Sequence, residues 1–186
     1  MTDKLKANAF MGATGRLQAA PGSLFKARIN QHFKVECFDP QGNLKWVEEF
    51  DNLVVNVGLD EYLQRIYKSS GFTASDFVGI KATGSIVAGD TMASHAGWSE
   101  LTIYSNANRP GFTPGAVSAQ SVDNSASKAV FNINASGTVT GAFIADNNTK
   151  GGSTGILLGG GEFAASRSVG NGDTLNVTMT ASLTSS

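Results

Sequence analysis

The stretch from residue 89 to residue 100, GDTMASHAGWSE, collects the side chains of this chain that are best suited to chemistry. Ser94 could act as a nucleophile, His95 as its base and Asp90 as the group that orients the base. Residues so close in sequence point in different directions, however, and no G-x-S-x-G turn surrounds the serine. We therefore interpret the stretch as an ordered loop. In this interpretation Asp90 and Ser94 bond local backbone amides and Trp98 buries its ring, with a surface contact through His95 as the alternative.

Other residue patterns that bind metals or cofactors are also missing from the sequence. The single Cys37 and the two histidines, His32 and His95, lack the paired spacing of zinc sites. Residues 146–148, DNN, lack the remaining oxygen ligands at EF-hand spacing. The glycines of GILLGGGEF do not fit a phosphate-binding loop, so we expect them to make tight turns. The sequence thus predicts no catalysis, no metal and no cofactor.

Membrane association and secretion are not expected either. The sequence contains no run of 18 apolar residues, and residues 1–10, MTDKLKANAF, do not resemble a signal peptide. We expect a protein that is made and used without secretion.

Short alternating segments separated by turn residues predict a mainly β fold. FKVECF and LKWVEEF flank Asp39-Pro40-Gln41-Gly42-Asn43 and indicate a hairpin. A second hairpin is expected around residues 134–137, with core positions Phe131, Ile133, Val139 and Phe143. In the last segment, residues 174–183, odd-numbered apolar positions alternate with polar ones, as in a half-buried strand. About ten such segments favour an antiparallel β-sandwich of jelly-roll or immunoglobulin-like type.

One segment has helical rather than β periodicity. Its apolar positions recur at intervals of three and four residues: Leu59, Tyr62, Leu63, Ile66 and Tyr67. This spacing predicts a single short helix over about residues 59–68. We expect its apolar face to pack against the sheets.

Residues 1–30 differ from the rest of the chain in net charge. They carry five basic residues and one acidic residue, a formal charge of +4, whereas the remaining 156 residues carry −5. They show no clear period, so we expect an extended N-terminal arm before a β-sandwich domain over residues 31–186. The alternative is a tail without a role. Five basic residues spread over 30 residues are a weak signal for nucleic-acid binding, and acidic protein surface is an equally suitable partner.

Several segments resemble a family of virion structural proteins from tailed bacteriophages. They are FDNLVVNVGLDEYL, GDTMASHAGWSELTIYSNANRPGFTPG, SVDNSASKAVFNIN with TVTGAFI, and GDTLNVTMTASL, which together span about residues 50–183. The Arg109-Pro110 dipeptide belongs to the same pattern. The resemblance implies a structural role and carries over no catalytic residue.

Within a virion, the size and composition favour a head decoration or cement protein. Such a protein would bind the major capsid protein, associate with itself and lie on the capsid surface after assembly in the host cytoplasm. The arm would supply the shell contact. Its expected apolar anchors are Phe10, Met11, Leu17 and Phe25, and its expected basic contacts are Lys4, Lys6, Arg16, Lys26 and Arg28. A tail or fibre component, such as one that binds host carbohydrate, is the alternative.

Overall fold

The computed structural model describes residues 27–68 and 75–185. Two antiparallel sheets pack face to face, which confirms the predicted β-sandwich, and one helix accompanies them in this part of the chain. The elements, in order, are β1 Ala27–Phe38, β2 Leu44–Asp51, β3 Leu53–Val54, α1 Asn56–Tyr67, β4 Asp76–Gly84, β5 Trp98–Glu100, β6 Gly111–Phe112, β7 Ser121–Asp123, β8 Ala129–Asn132, β9 Gly137–Ala145, β10 Leu157–Val169 and β11 Thr174–Ser185.

The first sheet has the strand order β2-β1-β11-β7, and β8 also pairs with β11. β1 and β2 form the predicted hairpin. Asp39 stabilises its turn by accepting the backbone N–H groups of Gln41 and Asn43 at 2.9 and 2.8 Å. Gly42 has a φ of 84°, a conformation that side-chain-bearing residues seldom adopt.

The second sheet has the order β3-β10-β9-β4-β5, and β6 also pairs with β4. The glycines expected to make tight turns, Gly159 to Gly161, instead lie inside β10, between β3 and β9. A Cβ on Gly160 would lie 2.3 Å from the Ile86 side chain and 2.8 Å from the Ala142 carbonyl. The prediction failed for Gly159 to Gly161 because these glycines permit close packing rather than a change of chain direction. Gly155, with a φ of 91°, lies in a bend before β10.

The core lies between the two sheets, and the predicted positions Phe131, Ile133 and Val139 are buried in it. Phe143 is also buried, but in a second cluster that includes Trp98. The hairpin predicted around residues 134–137 is nevertheless wrong. β8 pairs with β11 in the first sheet, whereas β9 pairs with β10 and β4 in the second. The turn residues therefore carry the chain from one sheet to the other.

The helix α1 begins three residues earlier than predicted and packs with a different face. Gly58 is buried, and a Cβ there would lie 2.3 Å from the carbonyl oxygen of Leu158 in β10. One turn later, Tyr62 packs against the core. Tyr62 is the one member of the predicted apolar face that packs as expected; the others point away, with exposures of 43% for Leu59, 55% for Leu63 and Ile66, and 79% for Tyr67.

β1 also starts earlier than the expected domain boundary at residue 31. It pairs with β11 from Ala27 onward, so Arg28 belongs to the sheet rather than to a separate arm. Along β11 the predicted alternation holds through Met179, but Leu183 is 48% exposed. The two strands thus extend beyond the covered core as a ribbon.

Candidate functional site

The loop between β4 and β5 is organised by Asp90 and Trp98. One carboxylate oxygen of Asp90 accepts both the Val87 N–H at 2.9 Å and the Trp98 indole N–H at 3.1 Å. Trp98 is only 4% exposed, and its ring lies 5.0 Å from that of Phe143. The side chains predicted to anchor the loop therefore bond to each other. The role expected of Ser94 belongs to Thr91, whose hydroxyl accepts the Ser94 N–H at 3.0 Å.

The structure does not assemble Ser94, His95 and Asp90 as a catalytic relay. The His95 ring stacks on Trp98 at 4.1 Å, and its Nδ1 lies 3.2 Å from the Trp98 carbonyl oxygen. The Asp90 carboxylate bonds Val87 and Trp98 rather than the imidazole. This geometry fixes the loop and does not activate a hydroxyl.

A buried ion pair between Glu100 and Arg109 is the most extensively bonded polar group near this loop. The Nη2 and Nε atoms of Arg109 donate to the two carboxylate oxygens at 2.7 and 3.0 Å. The guanidinium also donates to the carbonyls of Asn147 and Gly152, at 2.9 Å each. Arg109 is 2% exposed. It therefore ties β5 to the connection between β9 and β10.

Tyr104 completes this polar cluster. Burial is the main reason why the pKa of its hydroxyl is raised above its ordinary value, and the nearby Glu100 carboxylate adds to the effect. The protonated hydroxyl donates to Glu100 Oε1 at 3.3 Å. On the other side, the Gly151 N–H donates to Glu100 Oε2 at 2.9 Å. All these donors are used within the protein, which indicates a structural role for Glu100.

A second ion pair joins the buried Lys81 of β4 to the partly exposed Glu162 of β10. Burial lowers the pKa of the Lys81 ammonium, and the carboxylate opposes that effect. Glu162 also accepts the Ile86 N–H at 2.8 Å. This pair therefore supports the start of the loop that Asp90 and Trp98 close.

A cleft of about 400 Å³ opens beside the loop. Its lining includes His95, Ser99, Thr102 and Ser153. The one indole that borders it, that of Trp98, is buried beneath His95. The cleft thus presents small polar groups, without the open aromatic face on which a sugar ring could stack.

Two surfaces elsewhere, one apolar and one of mixed polarity, are better placed for binding. The first, here called the helix stripe, consists of Leu59, Leu63, Ile66 and Tyr67 on α1. The second is a cleft of about 560 Å³, here called the end cleft, where β1 extends past the core. Sequence periodicity identified the residues of the stripe but assigned them to the core.

The predicted arm contacts fall mostly outside the described residues. Those at 4, 6, 10, 11, 16, 17, 25 and 26 lie there, and only Arg28 is placed, on β1. Arg28 also borders the end cleft.

Among residues 27–68 and 75–185, no three His, Cys, Asp or Glu side chains are grouped as a metal ion would require. The triplet at residues 146–148 uses its oxygens locally: Asp146 accepts the Ile156 N–H at 2.6 Å, and Asn147 accepts the Thr149 N–H at 2.9 Å.

The helix in this part of the chain is too short and too polar to cross a bilayer.

The chain matches no family model, and no curated protein matches it significantly.

Proposed function

We propose that this protein is a structural component of a tailed-phage virion, a decoration or cement protein that binds the major capsid protein and associates with itself on the capsid surface. The observation that carries the proposal is the helix stripe. Apolar side chains at Leu59, Leu63, Ile66 and Tyr67 face outward along one side of α1. A continuous apolar patch on a small domain is typical of a surface that another protein covers.

The support beneath the stripe is rigid, as a binding surface requires. Gly58 brings α1 into backbone contact with β10, and the Tyr62 hydroxyl is held by Gln31 at 2.5 Å. Arg65 bonds Glu61 and Asp76 at 2.9 Å each. A helix fixed in this way loses little conformational entropy when a partner binds.

The composition of the domain also favours an assembly role. Only 16% of the residues are charged, so much of the surface can be covered at modest desolvation cost. A capsid presents many equivalent sites, and weak contacts to neighbouring subunits add through multivalency. The buried polar groups Asp90, Glu100 and Arg109 are engaged within the protein, which supports a binding role without catalysis.

Substituting Leu63 by aspartate tests the stripe. Because Leu63 is exposed, Leu63→Asp leaves the melting temperature nearly unchanged but places a charge inside any contact formed there. We expect the affinity for bare shells to fall at least about tenfold, as for a central interface residue. The measurement is co-sedimentation with purified shells, with self-association followed by analytical ultracentrifugation.

Gln64→Asp is the matched control, because Gln64 is also exposed on α1 but lies outside the stripe. Equal shell binding by Leu63→Asp and Gln64→Asp would remove the stripe from the mechanism. A count of only a few copies per particle would favour the tail or fibre alternative over cement.

The basic arm leads to a separate prediction about salt. Lys6→Glu changes the net charge by the same amount as Lys68→Glu, which alters an exposed position at the end of α1. If the arm meets acidic shell surface, Lys6→Glu weakens binding more than Lys68→Glu in low salt, and the difference shrinks in 1 M salt, where the screening length is about 3 Å. Titration of shells at two salt concentrations measures this. Identical curves for the two variants would show that the arm charges play no part.

A further inference from the structure

Lys81 is the one fully buried lysine in the part of the chain that the structure describes. It lies against the loop between β4 and β5, where the centroid of the Trp98 ring is 5.9 Å from its Nζ atom. Lys45 and Lys128 also pair with carboxylates, but their side chains are 35% exposed. The amine of Lys81 is therefore withdrawn from water in a way that those of the other two lysines are not.

The register of the second sheet places Lys81 and Glu162 in one row across three strands. Lys81 of β4 is opposite Gly141 of β9, and Gly141 is in turn opposite Glu162 of β10. Neighbouring strands are about 4.8 Å apart, so the backbones of β4 and β10 are about 10 Å apart at this row. Because Gly141 has no side chain, the two long side chains meet over it, and the Lys81 Nζ donates to Glu162 Oε1. The sheet itself thus holds an amine beside a carboxyl carbon.

The carboxyl group of Glu162 has a second donor on the same oxygen. The Ile86 N–H donates to Oε1 at 2.8 Å. A backbone donor in this position stabilises the negative charge that the oxygen acquires when a nucleophile adds to the carboxyl carbon. The Glu162 side chain is 33% exposed, so a water molecule produced there can leave to solvent.

A lysine acts as a nucleophile only when its amine is neutral. Burial lowers the pKa of the Lys81 ammonium, and the Glu162 carboxylate opposes this effect. Away from water, the charged pair loses hydration, which brings it closer in free energy to the neutral pair that forms when a proton moves from Nζ to the carboxylate. That neutral pair is an amine beside a carboxylic acid, the two reactants of an amide.

We propose that Lys81 and Glu162 condense after folding to form an isopeptide bond that links β4 to β10 across β9. Nζ adds to the Cδ atom of the protonated carboxyl group, and the Ile86 N–H stabilises the charge on Oε1. The bond from Cδ to Oε2 then breaks, and Oε2 leaves as water with two protons of the former ammonium group. An ammonium and a carboxylate thus become one amide and one water molecule, and no oxidant, metal or cofactor takes part.

Two physical effects favour this condensation in the folded chain. Groups held in contact by a rigid sheet react as if at a very high concentration. The neutral amide also removes two charges from a site where their desolvation is costly. The bond does not depend on the proposed function, because both reacting groups belong to one chain and the isolated protein suffices to test it.

The mass of the intact full-length protein tests the bond directly. After prolonged incubation of the folded protein at neutral pH, we expect a mass lower than that of the sequence by one water molecule. Lys81→Arg keeps a positive charge but has no primary amine, so it should retain the full mass. Lys45→Arg is the matched control, because Lys45 donates to Asp173 at 2.5 Å but is partly exposed. This variant should lose water as the original protein does.

A full sequence mass in the original protein would overturn the proposal. Loss of water from Lys81→Arg as well as from the original protein would also overturn it, since the water would then come from other groups.

Peptide mapping locates the bond. Trypsin does not cleave after an acylated lysine, so we expect a branched peptide that joins the segment containing Lys81 to the segment containing Glu162. Glu162→Met, which has no carboxyl carbon at this position, should give no branched peptide. In chains kept unfolded in urea, we expect the yield of the branched peptide to be at least about tenfold lower, because the sheet no longer positions the two groups. An equal yield in urea, or a branch at other residues, would contradict the proposed pairing.

Discussion

Replacing Trp98 by alanine is expected to lower the free energy of unfolding by about 3 to 5 kcal/mol. The indole is almost fully buried, lies between His95 and Phe143, and donates to Asp90. Truncation leaves a cavity and removes the bond that closes the loop over residues 89–97. For a domain of this size the melting temperature should fall by about 6 to 20 °C, measured by calorimetry.

Two further substitutions separate the contributions of this side chain. Trp98→Phe keeps an aromatic ring but leaves one Asp90 bond unmade, at a cost of about 1 to 3 kcal/mol. His95→Ala removes only the partly exposed stacking partner and should cost about 0.5 to 1.5 kcal/mol. A melting temperature of Trp98→Ala within a degree of the original would show that the ring does not support the loop.

The fold class could be predicted from the sequence because period-two alternation reports directly on burial. In β11, the positions Leu175, Val177 and Met179 alternate with polar residues and are buried as expected. The same reasoning identified the β1–β2 hairpin, where Asp39 and Gly42 specify the turn. In both cases a local pattern is sufficient, because alternation and turn chemistry act over a few residues.

The helix shows where local patterns fail. Periodicity located the apolar residues of α1 correctly, but it could not show that Gly58 would decide which face packs. Without a side chain, Gly58 allows the helix backbone to approach Leu158 closely, and this rotates Leu59 and Leu63 outward. The choice depends on tertiary contact with β10, which lies about a hundred residues away in the chain.

The prediction that β8 and β9 pair as a hairpin failed for a related reason. The residues between β8 and β9 have turn chemistry, but turn chemistry does not distinguish a hairpin from a connection between sheets. Pairing of β8 with β11 and of β9 with β10 is long-range and leaves no local pattern. The candidate binding surfaces were missed similarly, because the end cleft exists only where β2 leaves β1 at Asn52.

The buried pair of Glu100 and Arg109 was also beyond sequence reasoning, and its removal is the other change with a large expected effect. Arg109→Ala leaves the Glu100 carboxylate in the interior without its cation and frees the carbonyls of Asn147 and Gly152. Breaking a buried pair in this way costs about 3 to 5 kcal/mol. Urea unfolding monitored by circular dichroism measures the loss.

Arg109→Lys is the matched control for charge. A lysine keeps the positive charge but offers a compact ammonium in place of a planar fork, so it cannot bridge Glu100 and two carbonyls in the same way. We expect an intermediate loss of stability, larger than that of the surface substitution Arg167→Lys, because Arg167 is half-exposed. Equal stability of Arg109→Lys and the original protein would mean that charge alone suffices at this site.

A double-mutant cycle distinguishes the ion pair from the packing around it. Glu100→Gln leaves the Arg109 guanidinium buried without a counter-charge, and Arg109→Met leaves the carboxylate without its cation. The double variant Glu100→Gln with Arg109→Met removes both charges together. Since each single change creates an uncompensated charge and the double change does not, the double variant should cost less than the sum of the two single costs, by about 0.5 to 3 kcal/mol. Strict additivity would show that Arg109 stabilises the fold through its carbonyl contacts and the Phe143 ring, which lies 5.1 Å from the guanidinium carbon, rather than through Glu100.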